Sequence, residues 1–248
     1  IQVDEATDNL AVISIRDMVL PKTSNITIND SKDVCILFRS CFGYLSLNDT
    51  AINSLDNSGS SNYGYSIEDQ SCDNGLVFNL LSTGSRHAFT TNSYRSPGGV
   101  DMSCGYTTGA KVNGKAYNAT SGGWDTHPGA IDVDFIDCHT YSSLIFGQSR
   151  SRNTRFINSY GRRNTVGFKF AGGRVGSTIN PIKSNKIINA DVEYSETFCE
   201  HYEQAGDTVG ATDVSEISIE NSFGISTGAA HRGMIVESRV NPLKLTIN

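Results

Sequence analysis

Large apolar and polar residues alternate along much of the chain, in short runs broken by Gly, Ser, Asn and Asp. A period of two marks strands, because successive side chains of an extended chain point to opposite faces. One unit recurs: a large apolar residue, one intervening residue, an Asn or Asp, then a small residue. It occurs in Ile26-Thr-Ile28-Asn-Asp30-Ser31 and Ile52-Asn-Ser-Leu55-Asp-Asn57-Ser58. It returns in Val133-Asp-Phe135-Ile-Asp137-Cys138, Thr154-Arg-Phe156-Ile-Asn158-Ser159, Asn185-Lys-Ile187-Ile-Asn189-Ala190 and Ile217-Ser-Ile219-Glu-Asn221-Ser222. The anchors at 28, 55, 135, 156, 187 and 219 are separated by 27, 80, 21, 31 and 32 residues. A unit repeating at roughly 20–30 residues with variable insertions signals a solenoid. The period of two makes it a β-solenoid, and the expected architecture is an all-β, parallel β-helix.

No coil of such a solenoid buries its anchor alone; its neighbours cover it. The pattern therefore predicts an inward column of Ile28, Leu55, Phe135, Phe156, Ile187 and Ile219. Asp30, Asn57, Asp137, Asn158, Asn189 and Asn221 are expected at the turn after each strand, since both residue types tolerate the left-handed conformation. Stacked Asn side chains also bond one another. Asp134, Arg155 and Lys186 fall on the outer face as solvent-facing ion pairs. Second apolar stretches supply the next sheet of each coil: Tyr65-Ser-Ile67, Leu144-Ile-Phe146, Val166-Gly-Phe168-Lys-Phe170 and Gly233-Met-Ile-Val236. One domain is expected over 1–248, with loop insertions near 92–123 and 196–213. A long loop in a compact fold is commonly functional. The abrupt start at Ile1 and the strand-like ending LKLTIN read as those of a fragment of a longer chain.

Composition narrows the function classes. The 248 residues are 38% apolar and 19% charged, with a net charge of -6. That is apolar enough for a core and too weakly charged for disorder. Without a Lys/Arg run, general nucleic-acid binding is not expected. No apolar run approaches the ~20 residues of a membrane-spanning helix, so membrane insertion is not expected. Cysteines stand at 35, 41, 72, 104, 138 and 199 with no CxxC pair, which argues against a zinc ribbon. They are too sparse for a disulfide scaffold, and Cys138 is expected to be a buried thiol.

Chemistry concentrates in two motifs. Ser85-Arg86-His87-Ala88 and Gly123-Trp124-Asp125-Thr126-His127-Pro128-Gly129 hold the only Trp and two of the five His, beside an Arg and an Asp. On an extended Trp-Asp-Thr-His run, Asp125 and His127 point to one side and Trp124 to the other. Asp125 can then orient the His127 imidazole and raise its basicity. If 92–123 is an excursion, the 40 residues from His87 to His127 span one or two coils. At about 4.8 Å per rung, that places both histidines in one groove. His87 or His127 suits the role of general base, and Arg86, Arg150 or Arg152 that of the cation steadying developing negative charge. A glycoside hydrolase instead needs two carboxyl groups; Asp125 is the best acid, with Asp101, Asp132 or Asp134 as partner. Trp124 is a candidate for stacking on a sugar, and otherwise a buried plug. Asp125 can equally cap a turn. His139 and His231 read as structural. His87, Asp125 and His127 are donor types that suit zinc or manganese, but no compact metal motif supports them, and no metal or cofactor is expected. Asp30, Asp33 and Asp137 are better explained by turns than by calcium.

The paired signatures RHAFTT and GGWDTHPGAIDVDFIDC, followed by coils of the form TRFINS, resemble bacteriophage tailspike and tail-appendage proteins. The resemblance covers roughly 75–240. It implies a pectate-lyase-like, single-stranded right-handed parallel β-helix and a location on the virion tail, extracellular on infection. It also implies a homotrimer joined to other virion tail proteins. The implied partner is a bacterial surface polysaccharide, a capsule, lipopolysaccharide or teichoic acid, which such proteins bind and often cleave. Two functions stay open: a depolymerase acting by hydrolysis or elimination, and a non-catalytic adhesin. The first predicts converging ionisable groups in a cleft; the second predicts aromatic and amide groups on a shallow face.

Overall fold

The computed structural model describes residues 11–248 except 32, 55–63, 93–94, 97–98, 101–106, 176–177, 181–182, 204–214, 229–231 and 237–242. The secondary structure there is all strand and turn, and strands pair in parallel with those of the preceding and following coils. Among the described residues, antiparallel pairs occur only locally, between Arg95–Ser96 and Gly99–Val100 and between 173–175 and Thr178–Asn180. The coils stack along three faces.

The anchor face runs through Lys22–Ser24, Leu45–Leu47, 76–78, 111–112, Asp134–Ile136, Arg155–Ile157, Asn185–Ile188, Ser215–Glu220 and Leu243–Ile247. Its inward column is Val77, Val112, Phe135, Phe156, Ile187 and Ile219, in register, all buried. The last four are the anchors that the repeat predicts. Phe135 and Phe156 stack with centroids 5.0 Å apart, and Phe168 tilts against Phe156 at 5.3 Å. Such pairs add about 0.5–1.5 kcal/mol each beyond their burial. The Phe156 ring fills the space over Gly147, where an added Cβ would lie 2.4 Å from it.

The expected outer column forms with two departures: Asp134 is buried rather than solvent-facing, and Lys186 pairs with Glu220. Asp134, Arg155 and Lys186 are in register, and Arg155 donates to both Asp134 oxygens at 2.6 and 2.7 Å. Cys138 is a buried free thiol, as are Cys35, Cys41, Cys72 and Cys199.

Ile28 departs from the expectation. It stacks on Ala51 in a second, middle face, through Thr27–Asn29, Thr50–Ile52, 81–83, 115–117, His139–Tyr141, 160–162, 191–194 and Phe223–Ser226. The reason is that a coil can make more than one left-handed corner, so the anchor-x-Asn unit marks a corner and not one column. Asn25 and Asp30, and Asn48 and Asn53, are such pairs. Asp30 accepts from Asn53 at 3.1 Å, while Leu55 and Asn57 lie outside the described residues. After the anchor face, Asn25, Asn48, Asn79, Asp137, Asn158, Asn189 and Asn221 all have positive φ. Asn48 donates to Asn25 and Asn79 to Asn48; higher up, Asn158 donates to Asp137 and Asn189 to Asn158. Asn113 bridges the two runs.

The stretch 92–123 is an excursion only in part. Thr108 bridges Asp73 and Ile131, and Lys111–Tyr117 pairs with the coils below and above. Likewise Glu196–Glu203 continues a strand, and the rest of the second expected insertion lies outside the described residues.

Candidate functional site

The third face carries the site. Its rungs are Ala11–Arg16, Val34–Arg39, Tyr65–Gln70, His87–Asn92, Gly122–Thr126, Ile145–Ser149, 166–170, 197–203 and Arg232–Val236. From Val34 to Ser149 its strands are buried on both faces, but for the strand end at Asn92. A local change of phase decides which side chains face out. Cys35 and Ile36, and Ala88 and Phe89, are consecutive residues that both belong to the core. Gly123 sits at the same corner: a Cβ there would lie 3.2 Å from the Phe146 carbonyl oxygen. After two inward positions the alternation restarts shifted, so His87 and Thr90 share the outer side although they are three positions apart.

Phe89 pairs with Trp124, so His87 and Asp125 lie on neighbouring rungs, 38 residues of chain apart. Asp125 then pairs with Gln148, two residues before Arg150. Three successive rungs thus deliver four ionisable groups to one point. Asp125 is fully buried, and its Oδ2 accepts from Thr90 Oγ1 at 2.8 Å and from Arg150 at 2.9 Å. His127 Nε2 lies 3.0 Å and His87 Nε2 3.7 Å from the same oxygen. Neither contact is aligned as a hydrogen bond: His87 Nε2, His127 Nε2 and Asp125 Oδ1 are buried without a partner for one. His87 Nδ1 meets the Gly122 carbonyl oxygen at 2.5 Å, and the His127 amide donates to Thr91 Oγ1 at 3.0 Å. The cluster opens to solvent at His127 and Arg150, 18% and 16% exposed.

Electrostatics follow from burial and from Arg150. Burial alone would raise the Asp125 carboxyl, but the Arg150 charge, with the two histidines, holds it well below the usual carboxylate range. Burial pulls His87 down to about 4 against the opposing attraction of Asp125. Burial and the Arg150 charge lower His127 as well. Both imidazoles are therefore neutral near pH 7, facing an ionised carboxylate. Glu68, in register with Thr90, is buried on the same face, and burial raises its carboxyl although Gln70 and Asn92 donate to it.

The sequence motifs meet as expected in part. His87, Asp125, His127 and Arg150 come together. Arg86 stands nearby, its guanidinium carbon 6.0 Å from the centroid of the Tyr65 ring, which packs against His87 at 5.3 Å. Arg152 sits at a corner bridged to Ile131 and makes no hydrogen bond or ion pair with the cluster. Trp124 is corrected from sugar-stacking residue to plug: it is 0% exposed, faces the core and donates to Thr140 Oγ1 at 2.9 Å. Asp132 and Asp134 belong to the anchor side, with Asp134 held by Arg155; Asp101 is outside the described residues. Thr90 and Tyr65 were missed, because a strict period of two puts Thr90 on the face opposite His87.

Comparison with protein-family models and with curated proteins finds no match. Two solved structures share the architecture. Over 95% of this chain, the polygalacturonase of Erwinia carotovora ssp. carotovora superposes with a TM-score of 0.65 at 12% identity. Over 96%, the tailspike protein gp49 of Pseudomonas phage LKA1 superposes with a TM-score of 0.50 at 11% identity. The chain spans 60% of the first protein's length and 46% of the second's. The chain folds as a single-stranded right-handed parallel β-helix, the architecture it shares with this polygalacturonase and this tailspike protein.

Proposed function

We propose that the protein binds an anionic bacterial surface polysaccharide and depolymerises it at the His87–Asp125–His127–Arg150 cluster, as part of a homotrimeric phage tailspike. The convergence of two imidazoles, a carboxylate and a guanidinium from three successive rungs supports this most directly. A neutral His beside a carboxylate is a proton acceptor, and Arg150 and Arg86 supply the positive charge that attracts an acidic sugar and steadies charge developing on it. The fold shared with a polygalacturonase and a tailspike protein agrees with a glycan as ligand.

Burial of Asp125 and His87 favours a second reading, a non-catalytic adhesin in which the cluster only stiffens the face. One experiment separates them. The protein is incubated with purified capsule, lipopolysaccharide or teichoic acid, and new reducing ends and unsaturated products are measured. Product that is lowered ~100-fold or more in His127→Ala supports the depolymerase, the contribution typical of a general base. Retention of glycan without product supports the adhesin, and the absence of both product and retention overturns a glycan function.

A further inference from the structure

We propose that His87, Asp125 and His127 together hold one divalent transition-metal ion. The inference rests on the same cluster being the working site and changes its proton acceptor: with both Nε2 lone pairs committed to the ion, a hydroxide drawn to it would take that role. The donor atoms of the three residues lie within 4.8 Å of one another. His87 Nδ1 contacts a carbonyl oxygen, which can only accept, so Nδ1 carries the proton and Nε2 presents a lone pair. That lone pair is buried, has no hydrogen-bond partner and faces a carboxylate 3.7 Å away. His127 Nε2 stands 3.0 Å from the same carboxylate without the alignment of a hydrogen bond. Asp125 Oδ1 is likewise buried and without a partner. The His87 lone pair and the ionised carboxylate repel unless a cation lies between them, and His127 Nε2 adds a second lone pair when its proton sits on Nδ1.

The spacing fits such an ion. Two ligands about 2.0–2.1 Å from a tetrahedral zinc are about 3.3 Å apart, and the two nitrogen–oxygen separations, 3.0 and 3.7 Å, bracket that value. Two imidazoles and a carboxylate suit zinc or a neighbouring first-row ion rather than calcium or magnesium, which take oxygen ligands. A backbone carbonyl fixing the outer nitrogen of a ligating His is the usual supporting contact. Arg150 argues for an anionic fourth ligand. With one carboxylate, one guanidinium and two neutral imidazoles, a divalent ion leaves the site at net +2. The open side, at His127 and Arg150, would then draw in hydroxide or the carboxylate of an acidic sugar.

The test uses the full chain stripped with a chelator and dialysed against Zn2+, and separately Mn2+ or Co2+. Bound metal is measured by elemental analysis, and Co2+ absorption reports its ligands. One ion per chain is expected, kept in His139→Ala and lost in His127→Ala and His127→Gln, with thermal melts confirming that each variant is folded. No uptake by the stripped protein, or equal uptake by His127→Ala and His139→Ala, overturns the site. Glycan binding or cleavage undiminished in chelator overturns the ion and leaves the glycan function standing. One ion bound without any glycan retained overturns the glycan function and leaves the ion.

Discussion

Replacing Asp125 by Asn preserves the shape of the side chain and removes its charge. Arg150, 2.9 Å from Asp125 and only 16% exposed, is then left without its counterion. Breaking a buried pair from one side costs about 3–5 kcal/mol, and the partial exposure of Arg150 puts the expected loss near the lower end, about 3 kcal/mol. Replacing Arg150 by Met in the same molecule removes the stranded charge. Because the double variant leaves neither charge buried without its partner, D125N/R150M is expected to recover to within about 1 kcal/mol of the parent. Urea unfolding in the presence of chelator measures this, with the single Trp, buried at 124, as the fluorescent reporter. Glycan cleavage is expected to be lost in both variants, so stability and activity separate. A D125N loss below about 1 kcal/mol, or a double variant as unstable as the single, refutes the idea that the Asp125–Arg150 ion pair is the electrostatic centre of the cluster.

Phe156→Ala opens a void among Phe135, Phe168 and Gly147 and is expected to lower stability by about 3–5 kcal/mol; denaturant midpoints check it, and a loss under 1 kcal/mol contradicts a packed column. Asn158 has φ 54°, so Asn158→Ala carries left-handed strain of about 1–2 kcal/mol that Asn158→Gly avoids; equal melting temperatures for the two variants contradict this. His87 is lowered to about 4 by burial, so its folded state favours the neutral ring. That contribution is complete above the unfolded value near 6.5 and is lost as pH falls through about 4, amounting to about 3 kcal/mol at ~1.4 kcal/mol per unit. Stability of the chelator-treated protein is expected to fall more steeply over that window than that of His87→Asn; parallel pH profiles contradict it.

The column and the left-handed corners were legible because both are local. Phe135-Ile-Asp137 and Phe156-Ile-Asn158 each state strand, corner and facing within a few residues. The same local character hid the identity of each corner, so Ile28 was placed in the wrong column, and Asn79, in the ladder, went unmarked. Asp125 and His127 were read on one side because no phase change lies between them. Thr90 was not, because Ala88 and Phe89 turn inward together, which a strict period of two does not encode. Trp124 was ambiguous for lack of Thr140, the indole's partner on another rung. Arg152 differs from Arg150 only in lying past the corner, which spacing does not show.

Parallel stacking gives the cluster an unusual thermal position. Its three rungs lie in the middle of the described array. Ala11–Arg16, Val34–Arg39 and Tyr65–Gln70 lie on one side, and 166–170, 197–203 and Arg232–Val236 on the other. In a one-dimensional lattice each unit leans only on its neighbours, so opening any of these three rungs breaks strand pairing on two sides at once. The cluster is therefore expected to open later on heating than a site carried on a mobile loop.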